Sequence, residues 1–191
     1  MGVGSFVLAG AAVLAAAYGV LLYNRLVALK HGVDQAWANI GVLLAQRHDE
    51  IPKLVDTCRE YMRYEQETLE RVVRARQAVE TARRAGDVEE LGKAEDALRS
   101  GLERLFALAE AYPELKASET FRQLSSRISE LENAIADRRE LYNDAVNRNN
   151  VRIEQFPDLL VARLFGFGPR QLLRFGAERT ADPDVSTLFA R

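Results

Sequence analysis

The chain has 191 residues, with 26 Lys and Arg against 28 Asp and Glu and a formal net charge of −2 at pH 7. Such a balance argues against nucleic acid as the main partner, which would favour a basic surface, and a single cysteine, Cys58, excludes an intrachain disulfide framework. Beyond an apolar N-terminal run, about 165 residues remain, enough for one domain with a sizeable core.

Residues 1–24, MGVGSFVLAGAAVLAAAYGVLLYN, carry no charged side chain. About 22 helical residues span roughly the 30 Å hydrocarbon layer, so the run is expected to be a transmembrane anchor. A cleavable signal peptide is the alternative, but it calls for a basic n-region and a shorter apolar core. No Lys or Arg precedes Arg25. Phe6 stands where myristoylation would want Ser or Thr. Arg25 and Lys30 follow the run closely, and the positive-inside rule then places residues 25–191 in the cytoplasm with the N-terminus outside. Gly10, Ala15, Ala16 and Gly19 supply small residues that permit close helix packing in lipid, the expected anchor-packing face.

The body reads as four helices. Leu26, Leu29, Val33, Ala36, Ile40 and Leu43 recur at alternating three- and four-residue spacing, a heptad seam of the kind that packs helices in bundles. A break is expected around Arg47–Pro52, with Asp49 as N-cap and Pro52 in the first turn of the next helix. The seam resumes at Ile51, Val55, Cys58, Met62, Leu69, Val72 and Val79, and Gly86 ends it. Asp87 and Glu90 form an acidic capping box for a third helix, carried by Leu91, Ala94, Leu98, Leu105 and Leu108 and stopped by Pro113. Ser118 caps a fourth, with Phe121, Leu124, Ile128, Leu131, Ile135 and Tyr142 on one face, interrupted by Arg138 and Asn149.

After Pro157 the stretch PDLLVARLFGFGPRQLLRF is apolar and aromatic with three arginines, which suits an interfacial segment. Its other reading is a cap on the bundle core through Leu160, Leu164, Phe165 and Phe167. The expected fold is all-α, a single N-terminal transmembrane helix followed by an antiparallel four-helix bundle. In residues, that is an anchor at 1–24, a cytoplasmic bundle at 25–156, an amphipathic aromatic tail segment at 157–178 and a loosely ordered C-terminus at 179–191.

Catalytic and metal chemistry finds little footing. A carboxylate-bridged metal site in a bundle needs inward Glu residues with Glu-x-x-His pairs, and neither His31 nor His48 follows a Glu by three. Glu65, Glu110 and Glu132 could face inward, but carboxylates paired with Arg76 or Arg138 explain them more simply. Arg47-His48-Asp49 reads as a turn that caps helix ends. Cys58 falls on the seam, where cysteine acts as a small apolar residue. No phosphate-binding loop, HExxH or CxxC occurs. A buried tyrosine at Tyr142 would need a hydroxyl partner, and Arg71, Arg74, Arg83 and Arg84 read as a solvated mixed-charge face. No catalytic, cofactor-binding or metal residues are expected.

Several long segments resemble one family. YNRLVALKHGVDQAWANI, RHDEIPKLVDTCREY and ETLERVVRAR resemble the N-terminal half of the LemA family, as do ALAEAYPELKA at 107–117 and LENAIADRRELYNDAV at 131–146. FPDLLVARLFGF at 156–167 resembles the family's end. Tyr64 departs from the family's His, and Asn149 from its Tyr. The resemblance implies a bacterial inner-membrane protein with one N-terminal helix and a cytoplasmic bundle. It implies no catalytic residues, and it suggests companionship with other membrane proteins, membrane zinc metalloproteases among them. The expected function is a non-enzymatic scaffold or adaptor at the inner membrane, in contact with lipid and with itself. Phe165, Phe167 and Phe175 are the candidate contact surface. The alternatives are a self-assembling homo-oligomer that organises the bilayer and a carboxylate metal-binding bundle.

Overall fold

The computed structural model describes residues 2–174, which form six helices and no strand. They are α1 (Val3–Tyr61), α2 (Gln66–Ala85), α3 (Val88–Ala109), α4 (Pro113–Ala117), α5 (Glu119–Glu154) and α6 (Asp158–Phe165). A non-helical segment, 167–174, follows. The expected C-terminal stretch 179–191 lies outside the described residues, as does Phe175.

The break expected at Arg47–Pro52 does not occur. α1 runs unbroken for 59 residues with Pro52 inside it, about 90 Å at a rise of about 1.5 Å per residue. A proline lacks the N–H that would bond the carbonyl four residues earlier, here that of His48. That carbonyl instead accepts a 2.8 Å hydrogen bond from Arg76 Nε of α2. A side chain from another helix thus satisfies the acceptor that proline orphans, and the helix continues. Asp49 is accordingly not an N-cap, and Arg47-His48-Asp49 is not a turn.

The chain turns instead at 62–65. The apolar seam skips a step there, passing from Met62 to Leu69 with only polar and tyrosine side chains between. The later boundaries follow local chemistry as expected. Gly86 ends α2 at φ 69°, a conformation that costs glycine no Cβ clash. The Asp87 carboxylate accepts from Glu90 N–H at 2.9 Å to start α3. Ser118 Oγ accepts from Phe121 N–H at the start of α5. Pro113 opens the short α4 in the first-turn position, where its missing N–H is harmless.

The chain divides into two compact units. One contains residues up to Asn39 together with Arg138–Leu172; the other contains Ile40–Asp137 and continues from Leu173. In the second unit each long helical segment buries a stripe. Examples are Ile40, Leu44, Ile51, Leu54 and Cys58 on α1, and Leu69, Val72 and Val79 on α2. α3 contributes Leu91, Leu98, Leu102 and Leu105, and α5 contributes Ile128, Leu131 and Ile135. Leu173 is fully buried in the same unit. The backbone beside it passes so close to α3 that a Cβ on Gly92 would collide with the Arg174 carbonyl.

The first unit is more thinly packed. Its cluster is Leu26, Ile153 and Ala162, with Leu29, Val161 and Phe167 partly buried against it. Trp37 and Tyr142 add a ring contact at 5.3 Å. Toward the N-terminus α1 exposes Phe6, Leu8, Val13 and Leu14, each about 70% accessible. By length and composition this is a helix able to cross a membrane.

Candidate functional site

Two polar constructions stand out, one in each unit. In the second unit Arg47, 2% exposed, donates to the Glu95 carboxylate, itself 3% exposed. Glu132 Oε1 lies 3.8 Å from Arg47 Nη1, an ion-pair distance too long for a hydrogen bond. Arg47 Nε, His48 Nδ1 and Glu132 Oε1 are buried without a hydrogen-bond partner among the described residues. One guanidinium therefore faces two carboxylates. Burial pushes both Glu95 and Glu132 above the usual carboxylate range, while Arg47 pulls each back down. The cluster joins α1, α3 and α5 by charge where the surrounding stripes are apolar.

Both residues of this pair lie on their helices' seams, Arg47 between Leu44 and Ile51 and Glu95 between Leu91 and Leu98. A charged side chain at a seam position is the signal that sequence reasoning passed over. The carboxylates considered for a metal site part company. Glu65 accepts from Tyr112 Oη at 3.4 Å, Glu110 pairs with Lys116, and Glu132 faces Arg47. No described group of three His, Cys, Asp or Glu side chains could hold a metal ion. Arg138 is exposed rather than a core partner, and Arg76 serves the His48 carbonyl.

Cys58 is fully buried, and burial pushes its thiol up to about 12, far from thiolate chemistry at neutral pH. Burial, then Arg76, holds His48 below its ordinary value. The exposed arginines Arg71 and Arg74 of α2 form solvated pairs with Glu67 and Glu70, whereas half-buried Arg83 and exposed Arg84 both pair with a half-buried Glu80.

The first unit contains the tail. Asp158, almost fully buried, holds Arg152 at 2.8 Å where α6 begins. Gly166 at φ 72° ends α6, and the chain then runs as a strap fastened by side chains of α5. Asn150 binds both polar groups of one peptide position, accepting from Arg170 N–H and donating to the Arg170 carbonyl, each at 2.8 Å. Tyr142 Oη donates to the Gln171 carbonyl at 2.9 Å. Buried Asn149 donates weakly to Gly168 O at 3.5 Å. Arg170 reaches Asp34 at 3.2 Å. The hydroxyl partner of Tyr142 is thus backbone. Asn149, an interruption in the seam, is one of the residues that fix the tail.

Phe165 and Phe167 meet Tyr23 edge-on, with ring centroids 4.8 and 5.7 Å away. Phe165 nevertheless stays 58% exposed, beside Leu160 at 58% and Leu164 at 78%. The core-capping reading of these residues holds only for Phe167, which is half-buried. A groove of about 500 Å³ opens here, lined by Tyr23, Val27, Lys30, His31, Phe167 and Arg170 among others. Of the anchor residues, Ala15 and Ala16 are exposed, Gly19 is half-exposed, and Gly10 and Gly19 have open space where a Cβ would stand.

Known proteins resemble the chain over part or most of its length. Two magnetosome proteins of Paramagnetospirillum magneticum, MamQ 1 and MamQ 2, are each 35% identical to it over 68 residues. Magnetosome protein MamQ of Magnetospirillum gryphiswaldense is 31% identical over a stretch of the same length. Each match covers 36% of this chain and a quarter of the relative. The LemA family profile matches residues 36–187, most of the chain, and the protein belongs to the LemA family.

Proposed function

We propose that the protein is a membrane-anchored, non-enzymatic scaffold or adaptor of the bacterial inner membrane. In this reading α1, α2, α3 and α5 form a cytoplasmic four-helix bundle. The observation that carries it is α1 itself, an exposed apolar segment continuous in one helix with a buried seam. Confinement to a membrane raises effective concentration, so weak lateral contacts suffice. Phe165 and Phe167, with Leu160 and Leu164, supply an apolar contact surface. A membrane zinc metalloprotease is one partner class that the family resemblance implies.

Self-assembly is the second reading, favoured by the open faces at Gly10 and Gly19. Light scattering of the full-length protein in mild detergent separates the two. A discrete multimer reduced by Gly10→Leu with Gly19→Leu marks a self-assembling scaffold. A monomer in every form, cross-linked to another protein in membranes, marks an adaptor. Extraction of the intact protein by alkaline carbonate would sink the anchored reading altogether. Phe165→Ser with Phe167→Ser should weaken association while leaving helicity unchanged.

A further inference from the structure

The groove of the first unit combines three properties that point to one ligand class. The first is its place on α1. Tyr23 marks the end of the apolar run, and the lining residues of α1 extend from Tyr23 to His31, about 12 Å along the axis. A bilayer has about 30 Å of hydrocarbon within about 40–45 Å overall, leaving about 5–8 Å of headgroup region on each side. Helical side chains lean toward the N-terminus, so those of Lys30 and His31 lean back toward that layer.

The second property is charge. No carboxylate lines the groove among the described residues. Arg170 is matched by Asp34, while Lys30 has no ion pair among the described residues and is the uncompensated cation. The third is the neighbouring apolar shelf. Leu160, Leu164 and Phe165 stay exposed on α6, and Phe165 touches Tyr23. A cationic, aromatic pocket beside an exposed apolar shelf fits an amphiphile with an anionic head.

We infer that this groove seats an anionic phospholipid, its phosphate against Lys30 and His31 and its acyl chains along Leu160, Leu164 and Phe165. The inference rests on the anchored reading given above. Tyr23 and Phe167 wall the glycerol region, and the Asn150-fastened strap keeps the wall in place.

The test reconstitutes full-length protein into phosphatidylcholine vesicles containing phosphatidylglycerol, with a trace of either lipid spin-labelled. Resistance to alkaline carbonate is scored on the same vesicles. The expected result is preferential immobilisation of labelled phosphatidylglycerol over labelled phosphatidylcholine. Lys30→Glu should cut that preference by at least about fivefold, the size expected from the loss of a single lysine at an anionic surface, with the added carboxylate acting in the same direction. Lys93→Glu, the same charge change on an exposed lysine of the second unit, should leave it unchanged. Inserted protein without preference, or equal loss in both variants, overturns the lipid site and spares the anchor. Protein that carbonate removes overturns both. Preference abolished by inorganic phosphate but not by chloride of equal ionic strength would make the groove a free-phosphate site, contrary to the inference.

Discussion

The two units of this molecule are stabilised by opposite means. The second is dense and apolar, with stripes from every long helical segment and one buried ion cluster. The first relies on a small cluster around Leu26, Ile153 and Ala162, and on side chains that hydrogen-bond a non-helical backbone. Apolar burial is non-directional and tolerates variation in shape, whereas an amide fastened to a peptide group demands one geometry. The contrast sets a unit held by apolar burial beside one whose backbone is held by a few directional bonds. Exposed apolar side chains concentrate in the first unit, where a contact surface would need them.

The largest test of that contrast is Arg47→Met. It leaves Glu95 buried without its cation, and breaking a buried pair in this way typically costs about 3–5 kcal/mol. Denaturant melts should show the loss, with hydrogen exchange placing it in residues 40–137. A loss below about 1 kcal/mol would mean that the cluster is solvated and the second unit less dry than its stripes indicate.

Next in size is Gly92→Ala, where the new methyl meets the Arg174 carbonyl. Overpacking of this kind costs about 1–3 kcal/mol, and faster exchange at Leu173 should accompany it. An unchanged melting curve would show that the segment lifts away freely.

Asn150→Ala removes both bonds to Arg170 and should cost about 1–2 kcal/mol. The effect should appear as faster exchange of the Arg170 amide, with α2 and α3 unaffected. Destabilisation of α2 and α3 to the same degree would break the contrast, since the two units would then unfold as one.

The smallest effect concerns pH. Glu95 and Glu132 both titrate above the ordinary carboxylate value of 4.5 in the folded chain, so folding retains a proton that the unfolded chain releases. Their contribution is therefore fully present below about pH 4.5 and declines as pH rises through the raised folded values. Glu132→Gln leaves one carboxylate for one guanidinium. It should flatten this decline and leave the protein slightly more stable at pH 8 than the parent. The pair titrates as a unit, so a decline that persists unchanged would assign the proton to Glu95 alone.

Much of the helical plan was readable from the residues. The seam positions Leu26, Val33, Ile40, Ile51 and Cys58 are buried as their spacing predicts, because an amphipathic period leaves only one face for the core. Gly86, Asp87 and Ser118 end or begin helices where their local chemistry demands it. The candidate site was only partly readable. Phe165 and Phe167 stood out as apolar residues in a short terminal segment, but the strap beside them did not. Its geometry depends on Asn150 and Tyr142, some 20 to 30 residues earlier in the chain.

The residues alone determine what is local, namely apolar period, helix caps, the uncharged N-terminal run and the seam. The tertiary structure decides everything that requires a partner from another helix. Pro52 predicts a break until Arg76 supplies the His48 carbonyl with a donor. Arg47 and Glu95 look like misplaced charges until packing brings them together. The reason is physical: most local preferences are worth about 1 kcal/mol or less, a proline inside a helix about 3, and a single satisfied or abandoned buried polar group is worth a comparable amount.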